Sequence, residues 1–124
     1  MELNEYQTLA MRTEANDSYD PDVRMTQRLT NALMGLNGEA GEAIDILKKC
    51  LFQGHELEID ELIEELGDVM WYLAEAADAV GITLEDVARL NIDKLKKRYP
   101  DGFSSEASIN RFHENPEAFY KEAA

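Results

Sequence analysis

The chain has one cysteine, Cys50, so it can build neither an internal disulfide framework nor a thiolate cluster for zinc. Basic residues are scarce as well: 12 lysines and arginines stand against 26 aspartates and glutamates, a formal charge of −14. A field of that sign repels phosphate backbones and disfavours long nucleic acids and anionic membranes as partners. An anionic small molecule remains compatible, provided that metal cations or a local basic cluster reverse the sign. No apolar run approaches the roughly 20 residues that span a bilayer. The opening Met1-Glu2-Leu3-Asn4-Glu5 is acidic and lacks an apolar signal core, so a soluble, cytoplasmic protein is expected. Prolines number three and glycines seven, and no stretch alternates with period two over a strand's length. These absences point away from a β architecture.

What is present reads as helix. Hydrophobic residues make up 44% of 124 residues, enough for one packed domain over 1–124 and not for two. A short amphipathic helix is expected from about Leu3 to Asn16, with Leu3, Tyr6 and Ala10 on one face, then a turn-rich connector from Asp17 to Val23. The second helix runs from about Met25 to Leu51 on Leu29, Leu33, Leu36, Ala40, Ala43, Ile44, Leu47 and Leu51. Gly54 ends it. The third covers about Ile59 to Val80 on Ile59, Leu62, Ile63, Leu66, Val69, Met70, Leu73, Ala77 and Val80, and Gly81 stops it. Thr83 can cap a fourth, carrying Leu84, Val87, Ala88 and Leu95 to near Tyr99-Pro100. One more short helix is expected near Pro116 to Lys121 in an otherwise irregular tail. The fold class is all-α: an antiparallel bundle of four to five helices joined by short links.

Two acidic pairs carry the chemistry, Glu39 with Glu42 and Glu65 with Asp68, each at i, i+3. At ~100° per residue, Glu39 lies roughly 80° from the centre of its apolar arc and Glu42 about 60° further round; Glu65 and Asp68 take nearly the same offsets in the same sense. If the two helices pack antiparallel through their apolar arcs, the four carboxylates converge on one groove. Four like charges repel unless something positive sits among them. An all-oxygen donor set suits Mg²⁺ or Mn²⁺, whereas a di-iron carboxylate bundle wants Glu-x-x-His pairs, a spacing that neither His55 nor His113 provides. A solvated acidic face is the plainer alternative for either pair taken alone.

Gly35, Gly38 and Gly41 recur every three residues beside the first pair. Each costs roughly 1 kcal/mol relative to alanine, so close approach by a ligand or another helix is expected there. On the fourth helix, Asn91 interrupts the apolar stripe, and Lys94 and Arg98 extend the same flank. Beside a metal groove, an amide, an ammonium and a guanidinium would cradle polyphosphate; otherwise they form a core amide and a solvated basic face. Trp71 and Tyr72 fit either a stacked base or an oligomer contact, the contact suiting Trp71, which faces away from its own helix's apolar arc.

Gly35-Leu36-Asn37-Gly38-Glu39-Ala40-Gly41-Glu42 and Glu64-Glu65-Leu66-Gly67-Asp68-Val69-Met70-Trp71-Tyr72-Leu73 together resemble the MazG-like nucleotide pyrophosphohydrolases. The signature of that family is Glu-x-x-Glu, a spacer (22 residues here), then Glu-x-x-Asp. The run Asn91 to Phe103, with Arg98-Tyr99-Pro100-Asp101-Gly102-Phe103, is similar to the end of the family's catalytic region, so the resemblance spans roughly residues 25 to 111. It implies Mg²⁺-dependent hydrolysis of a nucleoside triphosphate to the monophosphate and pyrophosphate. It also implies Glu39, Glu42, Glu65 and Asp68 as catalytic metal ligands, Asn91, Lys94 and Arg98 as phosphate contacts, and a homodimer or dimer of dimers. Dedicated dUTPases or dCTPases, phosphoribosyl-ATP pyrophosphohydrolases and a non-catalytic oligomerisation module are the rival readings. One departure stands out. Many relatives place a glutamate directly before the first motif glutamate, and here Gly38 occupies that position. The general base is then a motif carboxylate, Glu61, or water activated by the metal.

Overall fold

The structure is a computed structural model that describes residues 1–15 and 19–111. Five α-helices follow in order: α1 Leu3–Ala10, α2 Arg24–Phe52, α3 Ile59–Ala79, α4 Leu84–Arg98 and α5 Ser105–Asn110, with a 3-10 turn at Met11–Thr13 after α1. Among the described residues no strand forms, only an isolated bridge between Pro100 and Gly102. The fold is the all-α one expected. The first helix is shorter than its apolar pattern suggests, tightening into the 3-10 turn after Ala10. Helix α5 was not expected; the Ser104 hydroxyl caps it, accepting the Ala107 N–H at 3.1 Å. The short helix anticipated near Pro116 to Lys121 lies outside the described residues.

The helix ends follow from local chemistry. Gly81 adopts φ 76° at the end of α3, where its N–H reaches the Asp78 carbonyl and that of Ile82 reaches Ala77. This is the paired closure that a left-handed glycine makes possible without a Cβ clash. Pro100 disfavours helical geometry at Tyr99, and α4 ends at Arg98.

The chain divides into two compact units, Met1–Leu84 and Glu85–Ala124. In the first, α2 and α3 form an extensive antiparallel pair. Its register is visible in the partners: Arg28 meets Asp78, Asn31 meets Glu75 and Gly35 meets Tyr72. Each step up α2 is answered by one down α3. The buried contact residues are small, Ala32 on α2 and Ala74 and Ala77 on α3, and they allow the backbones to approach closely.

That register corrects one premise. The helices do not meet through the centres of their apolar arcs. They meet about one residue round, through the stripe that carries Arg28, Ala32, Gly35 and Glu39. Large residues of the arcs are left outside: Ile44 is 61% exposed, Ile63 60% and Leu66 51%. Small residues let the seam rotate this way, and the displaced leucines and isoleucines stay on the surface of the single chain.

Helix α1 is fastened to this pair by polar contacts. The buried Gln7 donates to the Ile82 carbonyl at 3.1 Å and accepts from the Leu84 N–H at 2.9 Å, clamping the turn after α3. The Trp71 indole N–H lies 3.0 Å from the Ala10 carbonyl and 2.8 Å from the Thr13 hydroxyl. Beyond the 3-10 turn, the buried Glu14 takes Arg24 on both oxygens, at 2.8 and 2.9 Å. Arg28 adds an ion pair to Glu14 at 3.1 Å and a hydrogen bond to Asp78 at 2.7 Å.

In the second unit, the Tyr99 and Phe103 rings pack with centroids 5.5 Å apart around the Pro100-Asp101-Gly102 turn, which the Gly102 N–H closes onto the Tyr99 carbonyl.

Candidate metal centre

Three of the four motif carboxylates, Glu39, Glu65 and Asp68, converge at the α2–α3 seam. Glu39 lies one turn beyond Gly35 on α2, and Glu65 and Asp68 lie on the stretch of α3 that runs past it. The antiparallel register brings oxygens of Glu39, Glu65 and Asp68 within 4.8 Å of one another. Glu42 stands outside that close trio, yet its charge reaches Glu65. A hydrogen bond shared with Glu39, partial burial, and the charges of Glu39, Glu42 and Asp68 together hold the Glu65 carboxyl above its ordinary value. A proton shared between Glu39 and Glu65, or a cation, would relieve the repulsion in this cluster.

The donor set fits a hard divalent cation. In a Mg²⁺ octahedron with bonds near 2.1 Å, adjacent oxygens lie about 3 Å apart and opposite ones about 4.2 Å. A trio of carboxylate oxygens already within 4.8 Å needs only small side-chain adjustments to reach those spacings. None of the four carboxylates has an ion-pair partner within 4.0 Å among the described residues, though the charge of Lys49 reaches Glu42.

Tyr6 adds to the site from α1. Its hydroxyl is held above its ordinary value by burial and then by the charge of Asp68, which therefore reaches the phenol. The apolar face of the first helix contained Tyr6, but nothing in the sequence linked that face to the motif carboxylates.

A cavity of about 400 Å³ opens at Glu39 and Asp68 and is lined further by Trp71 and Tyr72. The two rings meet edge to face, with centroids 5.1 Å apart and planes at 86°. Of the three motif glycines, Gly35 is the one closely approached: a Cβ there would run into the Tyr72 ring. Gly38 and Gly41 face open space. Trp71, expected at an oligomer contact, donates its indole N–H within the chain to the 3-10 turn.

The remaining candidates are placed as follows. Lys48 and Lys49 grip Asp45 at 2.8 and 2.9 Å, which holds the Asp45 carboxyl down at about 2. The charges of Glu42 and Glu61 add to the pull of Asp45 that raises Lys49, and Glu61 lines a separate cavity with Lys49, His55, Glu56 and Glu58. Asn91, Lys94 and Arg98 share one face of α4; Asn91 is exposed, and Lys94 and Arg98 are half-buried. His113 lies outside the described residues.

Comparison with known proteins bears on these features. The description of the MazG nucleotide pyrophosphohydrolase domain matches residues 27–103. The Gene 37 protein of Mycobacterium phage L5 is 36% identical over 94 residues, which cover 73% of this chain and 82% of that protein. The uncharacterised protein YvdC of Bacillus subtilis (strain 168) is 51% identical over a shorter stretch of 39 residues, 32% of this chain and 37% of that one. No solved structure matches.

Proposed function

The chain belongs to the MazG nucleotide pyrophosphohydrolase family, and we propose that it hydrolyses nucleoside triphosphates, canonical or damaged, to the monophosphate and pyrophosphate with Mg²⁺, Mn²⁺ being an alternative ion. The observation that carries this reading is the convergence of Glu39, Glu65 and Asp68, with Glu42 adjacent, in a cluster without a cation of its own. Glu39, Glu42, Glu65 and Asp68 hold the ion. When bound, it supplies positive charge for the triphosphate oxygens and activates the attacking water. Lys94, with Asn91 and Arg98, orients the far phosphates. The water's proton passes to a carboxylate. Gly38 offers none, which leaves a motif carboxylate or Glu61; Glu42 and Glu61 both feel the charge of Lys49.

The exposed arcs of α2 and α3 support a second part of the reading. Residues as large as Ile44, Ile63 and Leu66 are costly to leave in water, at roughly 25 cal/mol per Å² of apolar surface. A second copy covers them, giving a homodimer or a dimer of dimers. Nucleotide chemistry and the absence of any helix long and apolar enough to cross a membrane among the described residues agree with a cytoplasmic setting.

The test is a panel of ribo- and deoxynucleoside triphosphates with Mg²⁺, scored for monophosphate and pyrophosphate. Release of pyrophosphate across several bases supports the general reading. Turnover confined to dUTP or dCTP, or to phosphoribosyl-ATP, selects the dedicated alternatives, and no turnover at all selects a non-catalytic module.

A further inference from the structure

We propose that the Trp71 indole is the platform on which the substrate's nucleobase stacks, with the Tyr72 ring standing edge-on beside it, and that Gly35 and the 3-10 turn hold the two rings in position. The inference rests on the nucleotide reading above and adds to it the part of the chain that meets the base.

The cavity at Glu39 and Asp68 is half carboxylate and half aromatic. Phosphates and a hard cation account for the carboxylates but give no reason for two rings in the same wall. A nucleotide needs both surfaces, a charged end for its phosphates and a flat apolar one for its base. Trp71 and Tyr72 lie three and four residues after Asp68, about one helical turn on, so rings and carboxylate line one wall of the cavity.

Both rings are fixed before any ligand arrives. The Trp71 N–H is spent on the Ala10 carbonyl and the Thr13 hydroxyl, which sets the plane of the indole and leaves its half-buried face to the cavity. The Tyr72 ring lies so close to Gly35 that any side chain there would displace it. The two rings then brace each other edge to face. Fixed aromatic surfaces suit base stacking because little ordering remains to be done on binding. Gly35 and Thr13 are positioning residues in this scheme, acting through Tyr72 and Trp71.

Trp71 is the chain's single tryptophan, so its emission reports the platform alone. The experiment titrates the full chain in Mg²⁺ with α,β-methylene nucleoside triphosphates carrying each of the common bases, and in parallel with tripolyphosphate, which has phosphates and no base. A saturable change in emission with the nucleotides, and little or none with tripolyphosphate, is expected. Kinetics supply a second arm. Trp71→Leu should raise KM for the preferred nucleoside triphosphate roughly 5- to 150-fold, the range that loss of one base–aromatic stack gives, while kcat and the inhibition constant of tripolyphosphate hold within about 3-fold, near 0.7 kcal/mol. Gly35→Ala and Thr13→Val should move KM in the same direction by less. They keep the test open if Trp71→Leu fails to fold.

Equal emission changes with tripolyphosphate and nucleotides would overturn the platform, as would an unchanged KM in folded Trp71→Leu. So would an emission that follows protein concentration and ignores nucleotide, the signature of Trp71 under a second copy. Any of these with nucleotide hydrolysis intact removes the platform and leaves the pyrophosphohydrolase reading standing. Absence of both hydrolysis and nucleotide binding removes the two together.

Discussion

The α2–α3 seam carries two charged clusters, and they are built in opposite ways. Toward the start of α2, Arg24 and Arg28 meet Glu14 and Asp78, two positive charges against two negative, with every short contact between opposite signs. Further along, Glu39, Glu65 and Asp68 gather with the charge of Glu42 nearby, and the one positive charge within reach, Lys49, acts on Glu42 and is itself bound to Asp45. The first cluster is complete in the folded chain and fixes the N-terminal segment onto the helix pair. The second is incomplete, and its deficit is one that a cation would fill. Two clusters on one seam, about three helical turns apart, thus contrast balanced charge with an excess of one sign.

The sharpest way to break this contrast is to substitute at both ends. Glu65→Gln should cost roughly 100-fold or more in kcat with Mg²⁺, since it removes a ligand that the other three cannot replace. In the metal-free protein the same substitution should leave the melting temperature unchanged or higher. The sign follows from Glu65: a carboxyl held above its ordinary value favours the fold only while protonated, and that contribution is lost as pH rises through its folded value. The advantage of Glu65→Gln should therefore grow from pH 4 to pH 7, read by thermal melts in EDTA. Arg28→Met should do the reverse. It leaves the buried Glu14 with Arg24 alone and should cost about 3 kcal/mol, the low end for breaking a buried pair because one arginine remains. Urea midpoints with an unchanged slope would measure it.

Lys94→Ala sharpens the comparison from the substrate's side. Under the proposed function, the acidic end accepts a triphosphate that brings about four more negative charges at neutral pH, and Lys94 directs it. Loss of a directing ammonium should lower kcat/KM roughly 10- to 1000-fold, about 1.4 to 4 kcal/mol, with the unliganded melting temperature almost unmoved. Wild-type kinetics in this variant would assign Lys94 to a solvated face. The smallest effect is expected at Asp45, which belongs to neither cluster. Its carboxyl is held at about 2 by Lys48 and Lys49, so its contribution to stability is present above its ordinary value of 3.8 and is lost as pH falls through about 2. Asp45→Asn should melt slightly below wild type at pH 7, with the gap closing toward pH 2.

Much of this was legible in the chain itself, because helical period and i, i+3 spacing are local properties. Four of the helices, the antiparallel pairing and the gathering of Glu39, Glu65 and Asp68 follow from them. The rotation of the seam was not legible, because it depends on how closely two backbones approach. Ala32, Gly35 and Ala74 decide that jointly, and the Leu and Ile stripe beside them looked like the stronger candidate by hydrophobicity. The same limit hid Tyr6 and the anchoring of Trp71, whose partners lie 61 and 58 residues away. Glu14 and Arg28 were likewise ordinary surface types until folding buried them together. Capping of α5 by Ser104 was missed for a different reason: the segment has few apolar residues, and its helix depends on the cap more than on a packed face.

The central claim is that the four-carboxylate end of the seam is a cation site. The direct measurement is the melting temperature of EDTA-stripped protein against added Mg²⁺, for wild type and for Glu39→Gln and Glu65→Gln side by side. Binding to the folded state alone should raise wild-type stability progressively, by about 2.7 kcal/mol at a hundredfold excess over Kd. Both variants should respond weakly or not at all, from starting points no lower than wild type. An equal response in all three proteins, or no response in the wild type, would contradict the account.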